Sequence, residues 1–415
     1  MITSMIELMV INNKMSRKLI LLLRAILKRP LYLVGYLLFI PLSYLMPKNK
    51  KYVVFASRFG DFEGNLKHFF LYLNSLGEDL EFIYLTEKKE VYRKLKKKGF
   101  KAWYYPRVST FFRMLRTPYL IVDGNEWAGN LKFFILYNTK KVQLWHGTGF
   151  KTIGLLKPSL KKLGRFRRRF RKDYIYYHLL TLSSEYQVRV RSKAFRYGKL
   201  LVNGLPRNDI FFQQAVPADD LGSDSKTLRK CIHLQEQGLK IVTYTPTWRM
   251  YSHTFDQLAL EKLNRFCREQ GVVFVIKLHY KHDCHLDAGD LSNVLEYNQY
   301  DDVYPLLTRT ELLVTDYSSI YLDFLILDRP VIFFPYDGEA YIDNERELLL
   351  DYDTITPGPK CYNQDELERE IYKHLVEGSD EYKEQREALA GKFFKYRDGR
   401  SSERLWRAIQ KHILA

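Results

Sequence analysis

The sequence predicts an α/β protein with two doubly wound halves, and two observations support this fold class. From residue 51 onward, short apolar segments rich in β-branched side chains alternate with amphipathic helical patterns. Continuous apolar strands of this kind are typical of parallel sheets that are covered on both faces. The chain has 415 residues, which is enough for two domains of ordinary size.

The predicted strands divide between the two halves of the chain. Their ranges are Tyr52–Ala56, Glu81–Leu85, Leu120–Val122, Val142–Leu144, Leu200–Asn203, Lys240–Tyr244, Val272–Lys277, Leu312–Thr315 and Val331–Phe334. Gly204 and Pro206 punctuate the pattern after Asn203 and indicate a hinge region. The predicted units are therefore residues 51–205, residues 206–398 and an amphipathic C-terminal helix at 399–415, which is expected to cross back onto the first unit.

The N-terminal segment, residues 1–50, mixes cations with leucine and isoleucine. Residues 31–46 carry no charge, and basic residues flank them on both sides. This run is shorter than the roughly 20 residues that a spanning helix needs, and Pro41 interrupts it. No small-residue cleavage site follows, so a signal peptide is not predicted. We expect a monotopic anchor on an anionic membrane surface; a spanning helix and a helix packed on the body are the alternatives.

The charge of the chain indicates anionic partners. The formal net charge is +18, and residues 161–172 hold eight cations and two phenylalanines. Such a stretch binds membrane phosphates, an anionic polymer or single-stranded nucleic acid, or it forms a solvated helix face. We favour membrane or polyanion contact and expect no nucleic acid, because no recognised nucleic-acid module accompanies the stretch. The cysteines lack paired spacing, which suits a reducing compartment; they are Cys231, Cys267, Cys284 and Cys361.

Residues 312–337 form one of two segments whose pattern indicates chemistry. A buried strand is followed by a hydroxyl-rich turn, a short helix and a second buried strand. A turn that opens a helix offers unpaired backbone N–H groups, and Ser318 and Ser319 add hydroxyl donors. The turn therefore predicts a phosphate site. An ordinary helix cap in a βα unit is the alternative interpretation.

The second such segment, residues 142–154, places a histidine directly after a strand that is predicted to end at Trp145. His146 can exchange a proton near neutral pH, and Gly147 and Gly149 let a ligand approach the backbone closely. Lys151 can bind an anion. The alternative is a structural histidine in a glycine turn.

Two further segments resemble metal sites, but neither predicts one. His279, His282, Cys284 and His285 lie within seven residues, yet no second ligand cluster follows at zinc-finger spacing. Residues 351–353 read Asp-Tyr-Asp, a three-residue pattern that is too short to define a cation site. We expect no metal and no other cofactor.

Six motifs in one order carry a resemblance to a known family. They are WHGTGFKTIG (145–154), LPRND (205–209), YTPTWR (244–249), IKLHY (276–280), TDYSSIYLDF (315–324) and DRPVIFFPYD (328–337). The series, which begins with a strand and loop at residues 55–73, resembles the CDP-glycerol glycerophosphotransferases, the teichoic-acid primases and polymerases of bacterial envelopes. The similarity runs from about residue 51 to 395. Gly149 departs from it, because the family motif usually has proline there.

The resemblance implies a GT-B architecture of two Rossmann-like domains facing a cleft. It assigns the acceptor side to residues 51–205 and CDP-glycerol binding to residues 206–398. His146 would be the general base, and His279 would stabilise the departing phosphate. The implied donor site comprises His146, Gly147, Thr148, Gly149, Phe150, Arg207, Pro246, Thr247, Lys277, Leu278, His279, Ser318, Ser319 and Asp323. Arg207, Lys277 and the two serines would neutralise the diphosphate, while Pro246, Thr247 and Asp323 would hold the cytidine.

The implied reaction transfers glycerol phosphate from CDP-glycerol to a hydroxyl and releases CMP. The acceptor would be a lipid-linked saccharide or a growing poly(glycerol phosphate) chain, at the cytoplasmic face of the cell membrane. The alternatives are a CDP-ribitol enzyme of the same family, a GT-B glycosyltransferase that uses a nucleotide sugar, and a non-catalytic membrane scaffold that binds anionic polymer. The residues do not distinguish primase from polymerase or wall polymer from capsule, and they do not indicate an oligomeric state.

Overall fold

Two parallel β-sheets form the frame of the protein, as the α/β prediction requires. The computed structural model describes residues 32–129, 131–149, 152–157, 174–213, 220–249, 258–280, 291–337 and 351–415. The first sheet contains β1 (Tyr52–Ala56), β2 (Glu81–Thr86), β3 (Ala102–Tyr104), β4 (Tyr119–Val122), β5 (Lys140–Gln143), β6 (Tyr176–Leu182) and β7 (Arg196–Val202). The second contains β8 (Lys240–Thr245), β9 (Val272–Lys277), β10 (Val294–Tyr297), β11 (Leu312–Thr315) and β12 (Val331–Phe333).

The strand order of both sheets is that of a doubly wound fold. The first sheet runs β3-β2-β1-β4-β5-β6-β7 and the second runs β10-β9-β8-β11-β12. Every pairing between these strands is parallel. The order reverses between β1 and β4 and again between β8 and β11. Ligands of such sheets bind outside the carboxyl ends of the strands at this reversal, so the loops after these four strands define where a site is expected.

Short helices cover the sheets. They are α1 (Ile40–Leu45), α2 (Gly64–Ser75), α3 (Lys89–Lys97), α4 (Val108–Leu115), α5 (Lys132–Ile135), α6 (Glu185–Arg191), α7 (Ser225–Glu236), α8 (Leu260–Glu269), α9 (Tyr304–Leu307), α10 (Ile320–Phe324), α11 (Tyr352–Ile355), α12 (Gln364–Leu375), α13 (Lys383–Phe393) and α14 (Ser401–Ile409). Residues Gly35–Phe39 and Gln410–Leu414 are π-helical, and Pro206–Phe212 is a 3₁₀ segment.

The C-terminal helix completes the core of the first sheet. Trp406 of α14 and Ile413 lie in the same buried cluster as Phe55 of β1. The indole N–H of Trp406 donates a hydrogen bond of 3.0 Å to Glu78. Burial of these apolar side chains against the opposite end of the chain stabilises the two-sheet arrangement. The helix predicted at 399–415 therefore lies on the first sheet.

The predicted strands are all present, and three others were missed by the pattern. These are β3, β6 and β10. β3 is only three residues long and β10 contains Glu296, while His178 and Thr181 interrupt the apolar run of β6. Such segments are defined by pairing with their neighbours rather than by their own periodicity.

Residues 32–45 form a helical segment that packs on the first half of the protein. The ring of Tyr36 meets Phe134 at a centroid distance of 5.0 Å, and Phe39 meets Phe111 at 5.2 Å. Leu37 and Leu45 on the same segment stay exposed. Among the described helices, none is both long enough and apolar enough to cross a membrane. Residues 1–31 of the predicted anchor lie outside the described residues.

Candidate functional site

A cavity of about 230 Å³ lies between the carboxyl ends of the two sheets. Its wall contains residues from the loops that follow β1, β4, β5, β9 and β11, as the switch-point rule predicts. Among the lining residues are Arg58, Glu63, Asp123, His146, Gly147, Arg207, Lys277, His279, Tyr280, Gln299, Ser318, Ser319 and Asp323. The structure thus brings eight of the predicted site residues together: His146, Gly147, Arg207, Lys277, His279, Ser318, Ser319 and Asp323.

His146 sits in a strained turn directly after β5. The preceding residue, Trp145, has a backbone φ of 56°, a value that residues other than glycine rarely adopt. Its backbone is held from both sides, because its N–H donates to Gln143 and its carbonyl accepts from Asn65. Backbone strain of this kind persists only where the surroundings enforce it, and it concentrates at functional sites. This held backbone conformation at Trp145 fixes the orientation of the next residue, His146.

The imidazole of His146 is held in one tautomer. Its Nδ1 lies 3.0 Å from the backbone carbonyl oxygen of Asp123. A carbonyl only accepts hydrogen bonds, so Nδ1 carries the proton and Nε2 keeps its lone pair. Burial, followed by the nearby positive charge of Arg58, lowers the pKa of His146 well below its usual value. The ring is therefore neutral at pH 7 and able to accept a proton.

Arg207 connects the histidine turn to the second half of the protein. One guanidinium nitrogen donates a 2.6 Å hydrogen bond to the backbone carbonyl of His146, and another donates a 2.6 Å hydrogen bond to Asp323. Asp323 also accepts hydrogen bonds from Asn208 and Tyr304. Arg207 and Asp323 thus form a buried salt bridge within residues 206–398, and both also line the cavity.

The side of the cavity that belongs to the second sheet supplies groups for an anion. Lys277 ends β9, and burial lowers its pKa. His279 stacks on Tyr280 at a centroid distance of 4.3 Å. The hydroxyl of Ser319 lies 3.8 Å from the position that a Cβ on Gly147 would occupy. The glycine turn after β5 and the serine turn after β11 therefore face each other at close range, and the absence of a side chain at position 147 leaves additional space for a ligand.

Five predicted site residues do not line the cavity. Thr148 is buried, Leu278 belongs to the core under the second sheet, and Gly149 lies beside Arg191. Pro246 is buried, and Thr247 donates hydrogen bonds to Asp316 from both its backbone N–H and its hydroxyl. Phe150, the remaining predicted donor residue, lies outside the described residues, as does Lys151.

Asp316 explains why the segment at 246–249 is tightly held. This fully buried carboxylate accepts from Thr247 and from Arg249, at 2.6 Å for the arginine. Arg249 also pairs with Asp337 at 2.7 Å. The carboxylate thereby joins the loop after β8 to the serine turn after β11. The segment at 246–249 is therefore anchored to the turn that carries Ser318 and Ser319.

Several cavity residues were missed by the sequence patterns. Arg58 and Glu63 follow β1, Asp123 follows β4, and Gln299 follows β10. Burial raises the pKa of Glu63 to about 7 and that of Asp123 to about 6. Arg58 and Glu63 lie in the segment 55–73 that shares the family resemblance, and the loops after β1 and β4 flank the strand reversal of the first sheet.

The residues considered as metal ligands do not assemble in the part of the chain that is described. No group of three or more histidine, cysteine, aspartate or glutamate side chains there is arranged to hold a metal ion. Asp351 caps the helix at Tyr352–Ile355, and Asp353 pairs with Lys360. Three of the four cysteines are described as buried free thiols: Cys231, Cys267 and Cys361. His282, Cys284 and His285 fall outside the described residues.

Two facing doubly wound sheets with a polar cleft at the carboxyl ends of their strands form an architecture that binds its ligands between the two sheets. The model of the CDP-Glycerol:Poly(glycerophosphate) glycerophosphotransferase family matches residues 38–411. The chain therefore belongs to this family of phosphotransferases, which confirms the family predicted from the motifs.

Named relatives agree with this assignment. A teichoic acid glycerol-phosphate transferase of Staphylococcus aureus is 31% identical over 66% of this chain and 72% of that protein. A teichoic acid glycerol-phosphate primase of Bacillus subtilis is 30% identical over 74% of this chain and 81% of that protein. A ribitol-phosphate polymerase of Staphylococcus aureus is 28% identical, and the matched region spans 65% of this chain and 51% of that protein.

The fold is similar to that of the wall teichoic acid polymerase TagF. The structures share a TM-score of 0.70 at 20% identity, over 97% of this chain and 98% of the other. At that identity the likeness concerns the fold alone. It confirms the GT-B-like arrangement of two Rossmann-like domains.

Proposed function

We propose that the protein transfers glycerol phosphate from CDP-glycerol to a hydroxyl acceptor and releases CMP. The observation that carries the proposal is one cleft in which a neutral His146 faces an anion-binding wall formed by Lys277, His279 and the serine turn. A proton acceptor opposite a set of phosphate-binding groups is what attack of a hydroxyl on a diphosphate requires. The family match and the glycerol-phosphate relatives support the same reaction.

In the proposed step, the acceptor oxygen attacks the phosphorus that carries glycerol. A new O–P bond forms, the bond from that phosphorus to the bridging oxygen breaks, and CMP leaves with the bridging oxygen. The acceptor proton passes to Nε2 of His146, whose Nδ1 stays bonded to the Asp123 carbonyl. Lys277 and His279 would stabilise charge that accumulates on the departing phosphate, and Ser318 and Ser319 would orient the diphosphate. Catalysis of this type rests on positioning and charge stabilisation.

Arg207 and Asp323 act in this proposal chiefly as positioning residues. Both oxygens of Asp323 already accept hydrogen bonds from the protein, and Arg207 holds the His146 carbonyl. Pro246 and Thr247 would support the nucleotide side indirectly, through Asp316. The direct contacts to cytidine predicted for Pro246, Thr247 and Asp323 stay proposals.

Ribitol phosphate is the second candidate for the transferred group, because a ribitol-phosphate polymerase is among the relatives. Glycerol is favoured by the family description and by the higher identity of the glycerol-phosphate transferase and primase. The acceptor is proposed to be a lipid-linked saccharide or a polyol-phosphate chain. A nucleotide sugar as donor and a non-catalytic scaffold are less favoured, because the family model covers both halves of the cleft.

The donor is tested by CMP release from CDP-glycerol, CDP-ribitol and a UDP-sugar, assayed in parallel with a lipid-linked acceptor. We expect release from CDP-glycerol, strongly reduced in His146→Gln and unchanged in His233→Gln, which alters an exposed histidine on α7. Release of CMP from CDP-ribitol alone would show that the donor is CDP-ribitol and not CDP-glycerol. Turnover of the UDP-sugar alone would overturn the proposed reaction.

We also propose that the enzyme works as a peripheral protein at the cytoplasmic face of the cell membrane. The basis is an exposed apolar face on the helical segment 32–45, where Leu37 is 70% and Leu45 is 79% exposed. Val108 and Phe112 on the adjacent α4 are also exposed. An exposed apolar surface on a protein of net charge +18 is expected to bind an anionic bilayer.

Vesicle sedimentation tests this location. We expect the full chain to bind vesicles rich in phosphatidylglycerol, and Leu37→Glu with Leu45→Glu to weaken the binding. Leu76→Glu, an exposed leucine at the end of α2, is the control. Equal binding by all three proteins would contradict the proposed membrane face.

A further inference from the structure

One part of the cavity wall offers hydrogen-bond acceptors instead of cations. Glu63 lies at the start of α2, and Gln299 follows β10, so each half of the protein contributes one residue. Both line the cavity. Gln299 is 7% exposed, and its side-chain oxygen accepts no hydrogen bond from the described residues. The carboxylate of Glu63 likewise has no hydrogen bond or salt bridge within the described parts of the chain.

The neighbouring carboxylates differ, because the fold already uses them. Asp302 accepts hydrogen bonds from Lys67 and His68, and Asp61 pairs with Lys88. A buried acceptor without a donor is unfavourable, so Gln299 is a position where a ligand that donates a hydrogen bond gains affinity. The carboxylate of Glu63, contributed by the first half of the protein, is likewise an acceptor without a hydrogen-bond donor among the described residues.

The carboxylate of Glu63 and the side-chain oxygen of Gln299 favour a hydrogen-bond donor over the diphosphate as their ligand. Phosphate oxygens are acceptors, and their negative charge would be repelled by Glu63. Hydroxyl groups, in contrast, donate hydrogen bonds to carboxylate and amide oxygens. The ammonium group of Lys277 donates to the backbone oxygen of Gln299 at 3.1 Å. Gln299 therefore lies directly beside a group that faces the proposed diphosphate.

We propose that Glu63 and Gln299 form a subsite that binds the hydroxyl groups of a polyol next to the reacting phosphate. This inference rests on the proposed function and deepens it, because it names the residues that recognise the polyol. The polyol belongs either to the donor, as its glycerol end, or to the acceptor chain. Both sources offer the same hydroxyl donors, and the test below distinguishes them from the ribose hydroxyls of the nucleotide.

The test separates the nucleotide from the polyol. Kd values for CDP and CDP-glycerol are measured by calorimetry on the wild type, Glu63→Gln and Gln299→Leu. The acceptor KM is measured on the same proteins. Glu90→Gln and Gln237→Leu, at exposed positions outside the cavity, are the matched controls. Thermal unfolding of each variant establishes that the fold is retained.

We expect the Kd for CDP to change less than twofold in both variants. A rise of about tenfold in the Kd for CDP-glycerol would place the donor polyol in the subsite. A similar rise confined to the acceptor KM would place the acceptor polyol there. Either result supports the inference.

Two results would overturn the subsite. An equal loss of CDP and CDP-glycerol binding would assign the residues to the nucleotide, its ribose included. No change in either polyol measurement, in folded variants, would assign them no role in recognition. Failure of the proposed function itself is distinguishable, because it appears in the wild type as an absence of turnover with either CDP-polyol.

Discussion

Arg207 and Asp323 form a buried ion pair of 2.6 Å in the wall of the cleft. The same guanidinium donates to the backbone carbonyl of His146 at 2.6 Å. The placement of the proposed base therefore depends on a charge pair that reaches from the hinge to the helix after β11. The contacts of Arg207 therefore determine both where His146 lies and which charges surround it.

We predict that Arg207→Ala lowers the free energy of unfolding by about 3–5 kcal/mol, because removal of one partner leaves Asp323 buried and uncompensated. Urea denaturation measures the loss. Lys262→Ala breaks an exposed pair with Asp365 and is expected to have no measurable effect. Equal stability of the wild type and Arg207→Ala would show that the pair does not stabilise the fold.

Position 147 is predicted to tolerate a methyl group for folding but not for binding. Gly147→Ala would place its Cβ 3.8 Å from the Ser319 hydroxyl, an ordinary contact that nevertheless occupies the cleft. We expect an unchanged melting temperature and at least tenfold weaker binding of CDP-glycerol. Gly154→Ala is the contrast, because its φ is +50° and its Cβ would lie 2.2 Å from the Ala194 carbonyl oxygen. That variant should lose stability, and tight donor binding by Gly147→Ala would contradict the proposed ligand position.

The raised pKa of Glu63 predicts a pH-dependent stability. Its pKa is about 7 in the folded protein against an ordinary value of 4.5, so the folded state holds more protons between these values. The free energy of unfolding therefore falls as pH rises through this window, and the cost is fully present above pH 7. We expect Glu63→Gln to be more stable than the wild type at pH 8, by about 1–3 kcal/mol, and nearly equal at pH 4. Thermal melts at both pH values measure this. A gain of the same size at pH 4 would exclude titration of Glu63 as its cause.

We predict that His146, the proposed base, is neutral at pH 6.5 and carries its one ring proton on Nδ1. Burial and Arg58 lower its pKa, while the Asp123 carbonyl accepts the Nδ1 proton. Nitrogen NMR of protein labelled in histidine measures the tautomer, with His146→Gln to assign the signal. A doubly protonated ring at pH 6.5 would contradict this geometry.

The fold and some residues of the site can be predicted from local patterns in the sequence. His146 and Ser318 were predicted because each lies in a turn after an apolar strand, where parallel sheets place their ligands. Lys277, the last residue of β9, was predicted from the family resemblance. The short or interrupted strands β3 and β10 escaped notice because pairing rather than periodicity defines them. The resemblance also led to Thr247, which does not line the cavity and instead donates a hydrogen bond to Asp316.

The remaining site residues depend on contacts between distant parts of the chain. Arg207 and Asp323 are 116 residues apart, and no local motif states that they pair. Glu63 and Gln299 become neighbours of one cavity only when both sheets face each other. Their functional signal is an unsatisfied hydrogen-bond capacity, which exists in the folded molecule and not in the sequence.

The most direct test of the central claim follows phosphorus. CDP-glycerol labelled with ³²P at the phosphate that carries glycerol is incubated with the enzyme and a lipid-linked acceptor, and the products are separated. The account predicts that the label enters the acceptor while unlabelled CMP is released, and that His146→Gln abolishes this transfer. Label that leaves with the nucleotide as CDP would show attack at carbon and would contradict phosphotransfer.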